Sequence, residues 1–382
     1  MKHIYLDYAA ATPIDAHVLA AMSPYFNKQF FNPSATYLRA RAIAKDLQDA
    51  REKVAQSLGV RPVELVFTAG GSEANNLAIH GIMRQFPGKH VVVGATEHAS
   101  IIEPAKEYNC TITPVHQDGR IDLDALKKQI TKDTVLISVM LANNEIGTIT
   151  PLRKIADIVK NIRESRDKAG NTLPLYLHTD ACQAVLYLDV HPLRLGVDLM
   201  TFNGGKIYGP KQSGVLYIKT GIELHSLIQG GGQERNVRSG TENVPSVIGF
   251  SYAFEKAVRK HDTSHEKLTQ LQQEFMQLLN DKIPEAKING SLKYRLPNNI
   301  HVTIPGTDNE RVMMELDERG IECAVGSACS ASSDEPSHVL KAIGLSDQDA
   351  HSSLRFTMGH ATTRSDIATT VDALRDIVDQ SM

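Results

Sequence analysis

The sequence of 382 residues has few cysteines, and their spacing disfavours two kinds of structural cross-link. The four cysteines are Cys110, Cys182, Cys323 and Cys329, and no two of them form a CxxC pair. A disulfide framework or a structural zinc site normally needs more cysteines, or cysteines in close pairs. We therefore expect free thiols in a reducing compartment, and no metal site.

Long apolar runs and a strong excess of charge are also missing. No run of eighteen apolar residues is present, and the chain passes from Met1 to Asp7 without the pattern of a signal peptide. The formal net charge of -3 gives no signature of a polyanion-binding surface. We expect a cytoplasmic protein without a membrane partner and without direct nucleic-acid binding. Its length allows two or more domains around a large core.

Two apolar segments near the middle of the chain each end in a charged residue. Residues 173–177 lead to Asp180, and residues 197–202 lead to Lys206. If both segments are parallel strands, their carboxyl ends place a carboxylate and an amine at one edge of a sheet, where open α/β folds bind ligands. Pyridoxal phosphate needs such a pair, because a lysine forms its Schiff base and a carboxylate keeps its pyridine nitrogen protonated. A buried salt bridge explains these two residues alone equally well.

Other predicted strands end in polar residues in the same way. Ser72 lies just beyond a strand over 64–67, His98 beyond a strand over 90–94, and Asn144 beyond a strand over 135–141. Repeated alternation of strands and helices, with polar groups at the same strand ends, is typical of a mostly parallel sheet with one site along its edge. The pattern therefore predicts an α/β fold with a single ligand site.

Gly70, Gly71 and Ser72 lie between a predicted strand and a helix from about residue 74. Glycines there let backbone N–H groups approach an anion, and the helix N-terminus favours negative charge. A tight turn with Ser72 as the helix N-cap is the alternative. Lys211 competes with Lys206 as the reactive amine, but it lies in a turn-rich loop rather than at a strand end, so we favour Lys206.

The last third of the chain has a different composition. A helix over 264–282, a strand over 299–304 and a helix over 310–318 are predicted there. We expect a large α/β domain over residues 15–258. Residues 1–14 and 259–382 would form a smaller α+β domain.

The segment 325–334 contains only small and polar residues apart from Val325, so it predicts a mobile loop that carries Cys329. A thiol on such a loop can approach a site, take up cargo and move away. Cys110 and Cys182 lie in or beside strands and are interpreted as core residues. Cys323 could pair with Cys329 under oxidation.

Several motifs together make the chain resemble cysteine desulfurases of the NifS/IscS type, within the class V aminotransferase group of fold-type I pyridoxal-phosphate enzymes. The motifs are FTAGGSEANNLA (67–78), ANNEIG (142–147), IYGPK (207–211), GGGQERNVRSGT (230–241) and GSACS (326–330). The resemblance implies a mostly parallel seven-stranded sheet flanked by helices. It also implies removal of sulfur from L-cysteine, which gives L-alanine and a persulfide on Cys329. An acceptor protein in iron–sulfur cluster assembly or tRNA thiolation would then take the sulfur.

The resemblance also implies a role for each matching residue. Lys206 would hold the cofactor and move the substrate's α-proton, and Cys329 would attack the sulfur. Cofactor contacts would come from Gly71 and Ser72 (phosphate), His98 (ring stacking), Asn144 and Gln183 (ring oxygen), Asp180 (pyridine nitrogen) and Asn203. Thr241 would reach the phosphate of the neighbouring subunit in a homodimer. Asn32 and Arg355 would bind the substrate carboxylate.

One departure from the family pattern stands beside the lysine. The family usually has Ser-Gly-His where this chain has Asn203, Gly204 and Gly205. Because glycine offers only its backbone, we predict weaker cofactor retention than is usual in the family. Two alternatives remain: a selenocysteine lyase or aminotransferase of the same fold, and a catalytically weak sulfur-relay subunit.

Overall fold

The computed structural model describes residues 3–326 and 335–381 of the chain. The strands are β1 (Ile4–Tyr5), β2 (Leu65–Thr68), β3 (His90–Gly94), β4 (Asn109–Thr113), β5 (Thr134–Ser138), β6 (Tyr176–Asp180), β7 (Leu199–Asn203), β8 (Gly214–Ile218), β9 (Lys287–Ile288), β10 (Asn299–Thr303), β11 (Ile321–Glu322) and β12 (Ser353–Thr357). The α-helices are α1 (Ala16–Met22), α2 (Pro24–Asn27), α3 (Leu38–Leu58), α4 (Gly71–Met83), α5 (Ala99–Lys106), α6 (Leu123–Gln129), α7 (Leu152–Lys168), α8 (Pro192–Leu195), α9 (Val244–Lys282), α10 (Asn309–Glu318), α11 (His338–Ala342), α12 (Asp347–Ala350) and α13 (Arg364–Ser381). Short 3₁₀ turns occupy Pro62–Glu64 and Gly204–Lys206.

A seven-stranded sheet in the order β2-β8-β7-β6-β5-β3-β4 forms the centre of the molecule. The pairs from β7 through β6, β5 and β3 to β4 are parallel, whereas β8 runs antiparallel to both β2 and β7. The predicted mostly parallel seven-stranded fold is therefore confirmed. Because parallel strands share one direction, β3, β5, β6 and β7 present their carboxyl ends at the same edge.

The sheet separates two apolar cores, since neighbouring residues of a strand point to opposite faces. Val92 of β3 belongs to one core, with α3, α7 and α9, and Val91 and Val93 belong to the other, with α4 and α5. β3 and β5 are buried along their whole length, as expected for strands covered by helices on both faces. This packing fixes the strand ends that carry the polar groups.

Two smaller sheets involve the chain ends. β9, β10 and β12 form an antiparallel sheet, and β1 pairs in parallel with β11. A further bridge joins Asp7 to Thr357 of β12. The N-terminal strand is therefore attached to the C-terminal third of the chain.

The structure also differs from the predicted elements. α4 begins at Gly71 rather than near residue 74, and β6 begins at Tyr176 rather than at residue 173. α9 is much longer than the predicted helix over 264–282, and it continues through the predicted domain boundary at 258/259. The division into two domains stays a prediction. Within the described residues, no helix is long and apolar enough to span a bilayer.

Candidate active site

A cleft of about 280 Å³ lies at the carboxyl edge of the central sheet. Most of the predicted site residues line it, although they are far apart in the sequence: Gly71, Ser72, His98, Asn144, Asp180, Gln183, Asn203, Lys206 and Arg355. A carboxylate, an amine, a guanidinium and a helix N-terminus thus surround one space. Such convergence of polar groups is typical of a small-molecule site.

Three predicted residues stand apart from this group. Asn32 lies on an exposed turn, where its side chain accepts a hydrogen bond from Ser34 N at 2.9 Å, and it does not line the cleft. Thr241 lines a neighbouring hollow. Cys329 lies outside the described residues, so its place relative to the cleft stays a prediction.

Asp180 ends β6, and its two carboxylate oxygens have separate donors. Asn75 of α4 donates from Nδ2 to Oδ2 at 2.7 Å, and the backbone N–H of Cys182 donates to Oδ1 at 2.8 Å. Asn75 Nδ2 also donates to Ser100 Oγ at 2.9 Å. These contacts fix the orientation of the carboxylate from the helix side and from its own loop.

His178 lies two residues before Asp180 on β6, hence on the same face of the strand. Its ring nitrogens bond Ser138 Oγ of β5 at 2.8 Å and Thr201 Oγ1 of β7 at 3.0 Å. Burial lowers the pKa of His178 to about 4, although the charge of Asp180 acts in the opposite direction. A neutral histidine therefore joins the three strands beneath the carboxylate.

Lys206 lies in the short turn that follows β7. Its Nζ donates to the carbonyl oxygens of Ala9 at 2.8 Å and Ala10 at 2.6 Å. Asn203 begins the turn, and its Oδ1 accepts from Gly205 N at 2.9 Å. The N-terminal segment thus reaches the cleft, and Gln183 Nε2 also donates to Ala9 O, at 3.0 Å.

The N-terminus of α4 approaches the other side of the cleft very closely. A Cβ added to Gly71 would lie only 2.8 Å from Cys182 Sγ and 3.4 Å from Asn203 Cβ. Only a residue without a side chain fits there without displacing its neighbours. Gly71 and Ser72, the first residues of α4, both line the cleft, and a helix N-terminus at that position suits an anion.

His98 and Glu97 follow β3 at the same edge. His98 caps α5, since its Nδ1 accepts from Ser100 N at 3.1 Å. Glu97 is buried; its Oε1 accepts from Met140 N at 2.6 Å, and burial raises the pKa of its carboxyl well above the usual range. Glu97 thus links the segment that presents His98 to Met140, which follows β5.

Arg355 enters the cleft from β12 and is almost completely buried. Its two terminal nitrogens donate to Asp7 Oδ1 at 2.7 Å and to Asn144 O at 3.0 Å. Its Nε has no hydrogen-bond partner within the described part of the chain. A buried donor that lacks an acceptor is expected where a ligand supplies one.

The described residues on either side of segment 327–334 contact the rim of the cleft. Ala324 and Arg355 exchange both backbone hydrogen bonds, at 2.7 and 3.1 Å. On the far side, Ser337 Oγ donates to Glu145 Oε2 at 2.6 Å, and His338 Nε2 bonds Glu97 O at 2.9 Å. The chain therefore leaves and rejoins the described structure beside the cleft.

Among the residues of this site that sequence reasoning missed, four have polar or thiol side chains: Asp7, Asn75, Ser100 and Cys182. The sequence places Cys182 in the core, but in the structure Cys182 lines the cleft. Burial, and then the carboxylate of Asp180, raise the pKa of that thiol well above its usual range. Asn75 lies inside the quoted motif 67–78, but only the three-dimensional arrangement identifies its partner. Within the described ranges, no cluster of potential metal ligands occurs.

Comparison with known proteins gives consistent results over nearly the whole chain. A family model described as aminotransferase class-V matches residues 4–369. The sequence is 41% identical to the cysteine desulfurase IscS of Dictyoglomus turgidum, across 99% of this chain and 95% of that protein. A solved NifS-like protein superposes with a TM-score of 0.90 at 28% identity, covering 99% of this chain and all of the other. A structure of SspA in complex with cysteine has a TM-score of 0.80 at 32% identity, covering 93% and 98% of the two chains.

Proposed function

The chain belongs to the aminotransferase class-V family and is a cysteine desulfurase, and from that premise we propose that pyridoxal phosphate binds in the cleft between Asp180 and Lys206. Enzymes of this family depend on that cofactor. The observation that carries the proposal is that Asp180 and Lys206, from adjacent parallel strands, line one cleft together with the N-terminus of α4. When bound, the cofactor supplies an electron sink that makes the carbon–sulfur bond of cysteine labile.

The residues present fit the chemistry of this cofactor. Asp180 is an acceptor held by two donors, so it is oriented to bind a protonated ring nitrogen. Gly71 and Ser72 offer backbone donors to a phosphate, and the close approach at Gly71 leaves no side chain in the way. His98, Asn144, Gln183 and Asn203 line the space between these two ends.

Lys206 would change partners when the cofactor binds. Its amine donates to the carbonyls of Ala9 and Ala10 in this structure. We infer that it leaves these acceptors to bind the aldehyde carbon and that it later moves the α-proton of the substrate. The two carbonyls remain close by to accept hydrogen bonds from the protonated amine.

We propose L-cysteine as the substrate, and the SspA structure in complex with cysteine supports this choice. Arg355 would bind the substrate carboxylate, because its guanidinium is buried at the cleft and its Nε lacks a partner within the described ranges. Asn32 stays a prediction for the same task. It lies on an exposed turn in this single chain.

Cys329 would accept the sulfur. Its thiolate would attack the sulfur of the bound cysteine; a sulfur–sulfur bond forms as the carbon–sulfur bond breaks, and the carbon product takes up a proton to become alanine. The overall reaction converts cysteine and the enzyme thiol into alanine and the enzyme persulfide, so no external oxidant is needed. Ala324, five residues before Cys329 in the sequence, pairs with Arg355 at the cleft.

Incubation with L-cysteine tests the proposal. We expect equimolar alanine and sulfur, a persulfide on the peptide that contains Cys329, and a pyridoxyl label on Lys206 after borohydride reduction. Cys329→Ser should stop persulfide formation while leaving the label on Lys206. Undiminished sulfur release by Cys329→Ser would favour a lyase that needs no loop thiol, and absence of the Lys206 label would contradict the assignment of the cleft.

We further propose a homodimer in which Thr241 reaches the site of the neighbouring subunit, and transfer of the sulfur to an acceptor protein. In one chain Thr241 lines a hollow with Thr68, Ala69 and Gln212, outside the cleft. Mixing Lys206→Ala and Thr241→Ala chains tests the dimer, since one site of each mixed dimer would have both native residues. We expect the mixture to recover activity. A mixture no more active than the sum of the two separate variants would contradict the shared site.

A further inference from the structure

Gly205 leaves open space at the end of the cleft where the phosphate is proposed to bind. It lines a hollow of about 330 Å³ that shares Gly71, Ser72 and Lys206 with the cleft. A Cβ added to Gly205 would have Asn203 Oδ1 at 3.4 Å and Lys211 Cγ at 3.8 Å as its near neighbours, which are ordinary contact distances. The backbone there does not require glycine, so a side chain is missing rather than excluded.

Lys211 covers this open flank. Its side chain passes beside Gly205, and its ammonium group donates to the carbonyl oxygen of Thr12. Thr12 in turn binds Gly205, because its N–H and its Oγ1 both donate to Gly205 O at 3.1 Å. The ammonium group of Lys211 is therefore hydrogen-bonded to Thr12, the same residue that binds the backbone of Gly205.

Few positive charges around the hollow are available to balance a bound phosphate. Among the described residues that line it, Lys206 and Lys211 are the positively charged ones. The amine of Lys206 would be occupied by the aldehyde of the cofactor. Glu73 also lines the hollow, but its carboxylate is paired with Arg238 at 2.9 Å. A phosphate dianion would thus have the partial charge of the α4 N-terminus and one lysine to balance it.

We propose that Lys211 binds the phosphate of the cofactor from the side on which Gly205 offers only its backbone. The inference rests on the proposed function and adds a binding residue to it. Lys211 is exposed at the rim, so its flexible side chain can exchange the Thr12 carbonyl for a phosphate oxygen without moving the backbone. Lys211 would then partly offset the weaker cofactor retention expected from Gly205.

The affinities of the apoprotein for pyridoxal phosphate and for pyridoxal test the inference, because the two ligands differ only in the phosphate. Loss of a charge-assisted hydrogen bond in Lys211→Ala should weaken pyridoxal phosphate binding about tenfold. Pyridoxal binding should be unchanged, and Lys211→Arg should retain most of the affinity. Lys106→Ala, which removes a surface lysine paired with Glu103, is the matched control.

A second substitution distinguishes the loss of phosphate binding in Lys211→Ala from misfolding of that variant. Gly205→His should restore pyridoxal phosphate affinity in the Lys211→Ala background and add little to the unmodified chain, because both side chains would serve the same phosphate. Inorganic phosphate should also raise the Tm of the apoprotein, and less so in Lys211→Ala.

The ratio of the affinity for pyridoxal phosphate to the affinity for pyridoxal should be lower in Lys211→Ala than in the unmodified protein. The same ratio in both proteins would overturn the role of Lys211 and leave the proposed function intact. A chain that binds pyridoxal phosphate no better than pyridoxal would overturn the inference through its premise, since no phosphate site would exist.

Discussion

Asn75 is the residue that holds the carboxylate of Asp180 from the helix side of the cleft. It is buried, its Nδ2 donates to Asp180 and Ser100, and its Oδ1 has no partner within the described ranges. We predict that Asn75→Ala lowers kcat/KM about tenfold or more, because a hydrogen bond to a buried charge is lost. The neighbouring Asn76→Ala is the control. Equal kinetics for the two variants would contradict a positioning role for Asn75.

The thiols of the chain should differ in reactivity. Burial raises the pKa of Cys323 to about 12 and raises those of Cys182 and Cys110 as well, so these thiols stay protonated near neutral pH. We predict that iodoacetamide modifies Cys329 first and that Cys182→Ala still forms the persulfide. Peptide mapping after brief alkylation measures this order, and preferential labelling of Cys182 would contradict it.

The sequence could identify Asp180 and Lys206 because each follows an apolar strand, and strand ends of a parallel sheet meet at one edge. The spacing could not identify Asn75, since its partner is 105 residues away. Nor could it place Cys182 at the cleft, because a cysteine beside a strand has the same local pattern whether it packs in a core or faces a ligand.

Among the elements that form the cleft, the N-terminus of α4 packs closely against the residues that follow β6. A Cβ at Gly71 would lie 2.8 Å from Cys182 Sγ. We predict that Gly71→Ala lowers the free energy of unfolding by about 1–3 kcal/mol and weakens cofactor binding. Because the clash is with one sulfur atom, Cys182→Ala should restore most of both losses. A double variant no better than Gly71→Ala would show that the contact is not the cause.

Helices and strands with a strong local pattern were predicted closely, and weakly patterned ones were not. β3 spans the predicted residues 90–94, and α10 begins one residue before the predicted helix over 310–318. β4 was missed because it is a partly exposed strand at the end of the sheet and lacks a continuous apolar run. The first half of α9 was missed because it follows the glycine-rich segment 230–241, and the helix as a whole packs on α1, α2, α3 and α13.

For the whole molecule, buried histidines should make stability depend on pH. The pKa of His178 is about 4 in the folded protein, lowered chiefly by burial, and that of His301 is about 3. Below the ordinary histidine pKa of about 6.5, the unfolded chain takes up protons that the folded chain does not. Stability should therefore fall as the pH falls from about 6.5 towards 4.

Denaturant unfolding at two pH values measures this effect. His178 alone should contribute about 2 kcal/mol of the loss between pH 7 and pH 5. His178→Gln should show a shallower dependence on pH than the unmodified protein, whereas His17→Gln, at an exposed position, should not. Parallel curves for all three proteins would contradict the assignment.

The candidate site draws on residues from the beginning and the end of the chain: Ala9 and Ala10 accept from Lys206, while Arg355 comes from β12. A nascent polypeptide cannot assemble it on the ribosome until almost all of its length has emerged. Cofactor binding should consequently occur late in biogenesis. It would indicate that the N-terminal segment and β12 have both packed at the cleft.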